Sequence, residues 1–218
     1  MATTRVLPGN RILRYTMSER VVHWVSGVSY VYLLMNGLGL WSPSLWWMMA
    51  ILGGGPLARL MHPWVGLVFV ASVLWMYKEW ANDMRITDQD RAWSKALRQY
   101  IRNEDENLPP VGRFNAGQKY LFWVMLWSGI VLLFSGLVLW FTEYIPPSLG
   151  FLRQISVLLH PIAFLATLGG FIIHVYMGTA VARGGFSSVI RGEVTESWAR
   201  KHHRLWLDRI TGNAPGKK

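Results

Sequence analysis

The sequence predicts an all-α membrane protein: four transmembrane helices in one integral-membrane domain spanning residues 1–218, with both termini cytoplasmic. Three observations carry that expectation: composition, four apolar runs of bilayer length, and a lopsided distribution of Lys and Arg. Hydrophobic residues make up 52% of the chain and charged residues 16%, with 13 tryptophans. Soluble domains carry about 25% charged residues, so this balance belongs in lipid. Cysteine is absent, which excludes disulfides, Cys-ligated iron–sulfur clusters, c-type haem attachment and thiol catalysis from this chain.

The apolar runs cover residues 21–40, 57–77, 118–141 and 154–177. Each is close to the roughly 20 residues needed to cross a hydrocarbon core. The first is too long for a signal-peptide core and has no small-residue cleavage site before Pro43, so it is expected to be retained. Between runs, Arg5, Arg11, Arg14 and Arg20 crowd the N-terminal arm. Lys78, Arg85, Arg91, Lys95, Arg98, Arg102, Arg113 and Lys119 fill the middle loop (78–117) and its borders. The tail (179–218) is equally basic, whereas the other two connections have only Arg59 and Arg153 at their edges. The positive-inside rule then makes the arm, loop and tail cytoplasmic, and the net charge of +10 requires no nucleic-acid partner.

In the outer connection 41–55, Trp41, Trp46 and Trp47 fit an interfacial aromatic belt, with cover by a partner protein as the alternative. In RAWSKALRQYI (91–101), Trp93, Leu97 and Tyr100 or Ile101 recur at helical spacing. That predicts an amphipathic helix on the cytoplasmic surface, against the alternative of a solvated basic linker.

Six histidines sort by depth. His202 and His203 lie in the charged RKHHRLW tail and are expected to be solvated. His23, His62, His160 and His174 lie inside the apolar runs, where an ionisable side chain marks function unless it serves helix packing. Helix 1 runs outward, while helices 2 and 4 return. His23 and His174 therefore form an inner pair, and His62 and His160 an outer pair. Along helix 4, His160 and His174 are separated by about 21 Å and nearly four turns, so one helix serves both sites.

Zinc wants four ligands, and no carboxylate or thiolate lies at these depths. Haem iron needs only two axial ligands from the protein. Gly27, Gly66, Gly170 and Gly178 lie one turn from His23, His62 and His174, where a missing side chain admits a flat macrocycle; glycine is also common at membrane helix contacts. His160 has Ser156 and Phe164 at those positions instead. Pro63 and Pro161 directly follow His62 and His160, predicting that both helices begin or kink beside the outer site. Six-coordinate iron at both sites leaves no position for substrate, so the expected chemistry is electron transfer through two haem b groups. A transporter relaying protons through its histidines is the rival from another class.

The chain resembles the gamma (cytochrome b) subunit of membrane-bound respiratory formate dehydrogenase from about Arg14 to Ile210. ERVVHW, RLMHPWVG, RFNAGQK, LLHPIAF, FIIHVYMG and the tail SVIRGEVTESWARKHHRLWLDRI carry the resemblance. The resemblance implies a four-helix di-haem b bundle with His62 and His160 on the outer haem and His23 and His174 on the inner one. It implies a quinone site of Asn115, Gly117, Gln118 and His174 beside the inner haem, taking menaquinone or ubiquinone; ordinary helix capping is the competing reading of FNAGQK. It implies partners too: an iron–sulfur beta subunit and a molybdenum- or tungsten-containing alpha subunit in a bacterial inner membrane, so that this chain has no formate-oxidising residues itself. Related cytochromes serving a hydrogenase or a thiosulfate reductase share the histidine pattern. The acidic stretch NEDENLPP (103–110) matches no motif of the family.

Overall fold

The computed structural model describes residues 5–102, 104 and 108–212 and is mostly helical. A hairpin of β1 (Val6–Leu7) and β2 (Arg11–Leu13) leads into α1 (Met17–Trp41). The short α2 (Trp46–Ile51) precedes α3 (Gly55–Trp80), and α4 (Asp88–Lys95) and α5 (Leu97–Ile101) lead to α6 (Ala116–Trp140). After α7 (Phe151–Tyr176) and a π-helical turn at Met177–Val181 come α8 (Phe186–Ile190), β3 (Glu193–Thr195), α9 (Glu196–His202) and α10 (Arg204–Thr211).

α1, α3, α6 and α7 are long and apolar enough to cross a membrane. Each begins before its apolar run, because backbone capping rather than hydropathy sets a helix start. At α1, the Thr16 hydroxyl accepts from the Glu19 amide and the Glu19 carboxylate accepts from the Thr16 amide. Asn115 and Gln118 form the same reciprocal box at α6. Of the two alternatives for the prolines, a helix start or a kink, the start is excluded: Pro63 and Pro161 are internal to helices that begin at Gly55 and Phe151.

The chain divides into two compact units. One comprises Val21–Glu79 and Val124–Gly170, the apolar stretches of the four long helices. Within it, α1 meets α3 through the Tyr30–Phe69 rings, 5.6 Å apart, and an Asn36 amide that donates to the Ala58 carbonyl at 2.6 Å. α3 meets α6 where the Trp64 and Trp140 rings stand edge to face at 5.1 Å. Phe164 of α7 packs beside Gly37 of α1, and Ser135 of α6 bonds His160 of α7, which closes the ring of helices. Buried hydroxyls of Ser29, Ser72, Ser135 and Thr167 donate to carbonyls one turn back, so each satisfies itself without water. Val28, Leu60, Phe134 and Ile162 are each more than 60% exposed. Such apolar outward faces suit acyl chains rather than water.

The other unit comprises Met1–Arg20, Trp80–Trp123 and Phe171–Lys218. Here β1, β2 and β3 form an antiparallel sheet that pairs Val6 with Ile12 and Ile12 with Val194, joining the N-terminal arm to the tail. Ile12, Val194, Ala199, Trp206 and Leu207 make its core. A buried ionic cluster ties the middle loop to α1: Arg113 bonds Glu19 at 2.5 Å and Asp83 at 3.0 Å, and the Trp80 indole donates to Glu19 at 2.6 Å. Burial opposes the Arg113 charge, but the Glu19 and Asp83 carboxylates outweigh it and raise its pKa. Lys119 reaches Asp90 at 2.7 Å and the Arg85 carbonyl at 2.9 Å. Burial alone would raise the Asp90 pKa; hydrogen bonds from Lys119 and Thr87 lower it instead. Truncating one partner of such a pair costs about 3–5 kcal/mol, because the other charge stays buried.

The amphipathic helix expected at 91–101 is corrected in two respects. It breaks at Ala96 into α4 and α5, and its aromatic face turns into the protein. Trp93 and Tyr100 are buried with ring centres 4.9 Å apart, in a core shared with Val111 and Ala116, while Leu97 and Ile101 stay exposed.

Candidate functional site

His62 on α3 and His160 on α7 face each other with ring centres 6.2 Å apart. Two imidazoles ligating one metal through Nε2 each contribute a bond of about 2.0–2.1 Å plus about 1.1 Å to the ring centre, or roughly 6.3 Å in all. The observed separation is of that length. Among the described residues, no cluster of three or more His, Asp or Glu forms a metal site. A macrocycle that brings its own four nitrogens suits this two-imidazole arrangement.

His160 is fixed from α6. Its Nδ1 lies 2.9 Å from the Ser135 hydroxyl. A Cβ built at the adjacent Gly136 would approach His160 Cε1 to 3.2 Å, so glycine is what lets the ring lie this close to α6. The missing side chain that His160 lacks on its own helix is thus supplied by a neighbour. His62 has no counterpart of Ser135: its Nδ1 is buried without a hydrogen-bond partner among the described residues. Space is open where a Cβ would stand at Gly27, Gly66 and Gly178, as a flat group beside those helices requires.

His23 lies on α1 within the apolar unit, its ring edge-on to Trp24 at 5.8 Å. His174 lies in the last turn of α7, in the other unit.

FNAGQK is first of all a cap. The Asn115 side-chain oxygen accepts from the Gln118 amide, and the Gln118 oxygen from the Asn115 amide, both at 2.9 Å. Both side chains also line a cavity of about 260 Å³ together with Tyr100, Trp198, His202 and Arg204. With the oxygens committed to the cap, the free polar atoms of these two side chains are NH₂ donors. Gly117 is not in the lining; a Cβ there would stand at ordinary contact distance from Asn115 Oδ1, 3.4 Å, and Trp93, 3.6 Å. His174 does not line this cavity either. Leu108, Pro109 and Pro110 do, while residues 103 and 105–107 of the acidic stretch lie outside the described residues.

The solvated tail expected for His203 is overturned, for the residue is 2% exposed. Its Nδ1 lies 2.8 Å from the Gly112 carbonyl, which can only accept, so Nδ1 carries the proton. Its Nε2 then accepts from the Arg14 guanidinium at 3.1 Å, and Arg14 also donates to the Arg113 carbonyl at 2.7 Å. Arg14 is itself buried among the rings of Tyr15, Phe114, Trp198 and Trp206. The arm and tail thereby clamp the segment just before FNAGQK. In the chain His203 stands among charged residues; only the fold shows that it turns away from solvent and into this cage.

Burial, and next the Arg14 charge, hold the His203 pKa well below the ordinary imidazole value. Above about pH 6.5 the ring is neutral in both folded and unfolded chains, and its contribution to stability is full. As pH falls below about 6.5 the unfolded chain binds a proton that the folded chain refuses, so stability falls until the folded pKa is reached. The expected slope from this one group is at most about 1.4 kcal/mol per pH unit. Thermal melts of the purified protein between about pH 8 and 5 should show the decline, and His203→Gln, which cannot titrate, should flatten it.

Four membrane-length helices and a facing pair of half-buried imidazoles suit one class, a membrane cytochrome of the b type. The sequence profile of the prokaryotic cytochrome b561 family matches residues 14–192, and the chain belongs to that family. As a b-type cytochrome it takes haem b, in a multi-pass bacterial membrane setting. Among its relatives, the formate dehydrogenase cytochrome b556(fdo) subunit of Escherichia coli K12 is 34% identical, over 91% of this chain and 93% of its own. The nitrate-inducible formate dehydrogenase cytochrome b556(Fdn) subunit of the same strain is 27% identical over 91% of each chain. The formate dehydrogenase cytochrome b556 subunit of Haemophilus influenzae is 30% identical over 94% of this chain and 86% of its own. The resemblance drawn from ERVVHW, FNAGQK and the tail is thereby borne out.

Proposed function

We propose that this chain is the membrane-anchor and electron-transfer subunit of a formate dehydrogenase, passing electrons from the outer face of a bacterial inner membrane to quinone near the cytoplasmic face. The facing His62–His160 pair, 6.2 Å between ring centres, is the observation that carries the electron-transfer reading. The 34% identity over nearly the whole length of a formate dehydrogenase cytochrome subunit supports the substrate system.

His62 and His160 would hold an outer haem, and His23 and His174 an inner one; when bound, haem b supplies a one-electron carrier at each pair. The protein's own task is to present neutral imidazoles at two depths, keep water out, and fix ring orientation. Both termini lie on the cytoplasmic side in this reading, as the Arg and Lys of the arm, middle loop and tail require. Moving an electron inward across the membrane is worth about 2.3 kcal/mol per 100 mV, which couples oxidation to the membrane potential.

Menaquinone or ubiquinone is the acceptor in this reading. The amide NH₂ groups of Asn115 and Gln118, at the edge of a cavity of about 260 Å³, are donors suited to a quinone carbonyl. In this reading His174 of α7 and Gly117 of the cap also belong to the quinone site, although neither lines that cavity. Formate itself would be oxidised by a molybdenum- or tungsten-containing alpha subunit, with an iron–sulfur beta subunit delivering electrons to this chain.

Purification of the chain from native membranes with its accompanying subunits tests the proposal. A two-haem b spectrum, co-purifying iron–sulfur and molybdenum or tungsten subunits, and formate-dependent quinone reduction are expected. A complex that oxidises hydrogen, or reduces thiosulfate, but ignores formate would move the chain to one of those oxidoreductases. Absence of any b-type band would favour a proton-relaying transporter.

A further inference from the structure

α6 has no histidine, yet two of its polar groups, the Ser135 hydroxyl and the Leu132 carbonyl, lie against His160. Ser135 is buried, at 5% exposure, and its hydroxyl has one proton to give. That proton goes to the Val131 carbonyl at 2.6 Å, the shortest of its contacts; the Leu132 carbonyl is 3.4 Å away. What the hydroxyl offers His160 Nδ1 at 2.9 Å is therefore a lone pair, so Nδ1 carries the ring proton and Nε2 the ring's free lone pair. Gly136 leaves room for the ring to sit against α6 at this distance. The partner imidazole is not held this way, since His62 Nδ1 has no hydrogen-bond partner among the described residues.

We infer that Ser135 is the positioning residue of the His62–His160 haem site: it sets the tautomer and angle of His160 and, through the Nδ1–H bond, the reduction potential of the haem held there. The inference rests on reading His62 and His160 as axial ligands. A hydrogen bond accepted from Nδ1–H makes the imidazole a stronger donor through Nε2. A stronger donor favours the more positive ferric state and holds the potential down. Among the described residues His160 is tethered through Nδ1 and His62 is not, which confines this lever to one ligand of the pair.

The test is a redox titration of the b-type absorbance of the whole complex purified with wild-type chain, Ser135→Ala and Ser135→Thr. Ser135→Ala is expected to keep both haems and shift the potential of one of them upward, leaving the other where it was. Ser135→Thr, which keeps the hydroxyl, is expected to restore the wild-type value. Unchanged potentials in a fully loaded Ser135→Ala complex would overturn the inference while leaving the ligand assignment standing. An upward shift that Ser135→Thr fails to reverse would also overturn it, since packing rather than the hydroxyl would then be responsible. Should Ser135→Ala lose part of its haem, the ferric low-spin EPR signal of the retained fraction decides between the same alternatives. An altered signal restored by threonine supports the inference, and an unaltered one sinks it. His160→Ala, run in parallel, separates this from failure of the ligand reading, because retention of both haems there would remove the ground on which the inference stands.

Discussion

Replacing His160 with alanine is expected to remove about half of the b-type absorbance of the purified complex, corresponding to one of two axially ligated haems. The expectation follows from geometry. His62 and His160 stand 6.2 Å apart between ring centres, and no third imidazole or carboxylate joins them in a metal cluster among the described residues. On the proposed ligation, alanine at position 160 would leave His62 as the one protein ligand, and the Ser135 hydroxyl would lose its ring partner. Haem extraction with a reduced-minus-oxidised spectrum checks the outcome, and a full two-haem spectrum would show that the pair is packing rather than ligation. The same loss is expected of His62→Ala.

The second large effect is expected at the other end of α7. His174→Ala should lose the inner haem and abolish quinone reduction, while the partner subunits go on oxidising formate with an artificial dye. On the proposed path the two readouts separate, because the dye would accept electrons before they reach this chain, whereas quinone would need the full path. His174 lies on the same helix as His160, and the fourteen-residue interval between them spans about 21 Å. A group at one end can therefore be removed without touching the ring bonded to Ser135. Wild-type quinone reduction in this variant would refute both the inner-haem and the quinone role of His174.

Much of the architecture was legible in the residues because the bilayer imposes simple rules. Four uninterrupted apolar runs became α1, α3, α6 and α7, since a membrane-crossing backbone must satisfy its own hydrogen bonds. Depth pairs His62 with His160, and their rings meet in the fold. Less visible was anything that depends on contacts between distant segments. The sheet joining Val6, Ile12 and Val194 has strands too short to show alternation. Trp93 and Tyr100 have the spacing of a surface helix, but the periodicity of a face does not reveal whether lipid or protein covers it. His203 sits between charges in the sequence and inside a cage in the structure. FNAGQK proved both a helix cap and a cavity wall, so the two readings of it were not exclusive.

What the sequence determined by itself was the set of four membrane-length helices and the four imidazoles within their apolar runs. Those depend on hydropathy and helical rise, which are local properties of the chain. Tertiary structure alone decided that Ser135 and Gly136, on the one long helix without a histidine, hold His160. It alone decided that Arg14 and His203, far apart in the chain, close on the Gly112 and Arg113 carbonyls. A hydrogen bond between groups on different elements leaves no periodic trace in a sequence; it exists only once packing has brought donor and acceptor within about 3 Å.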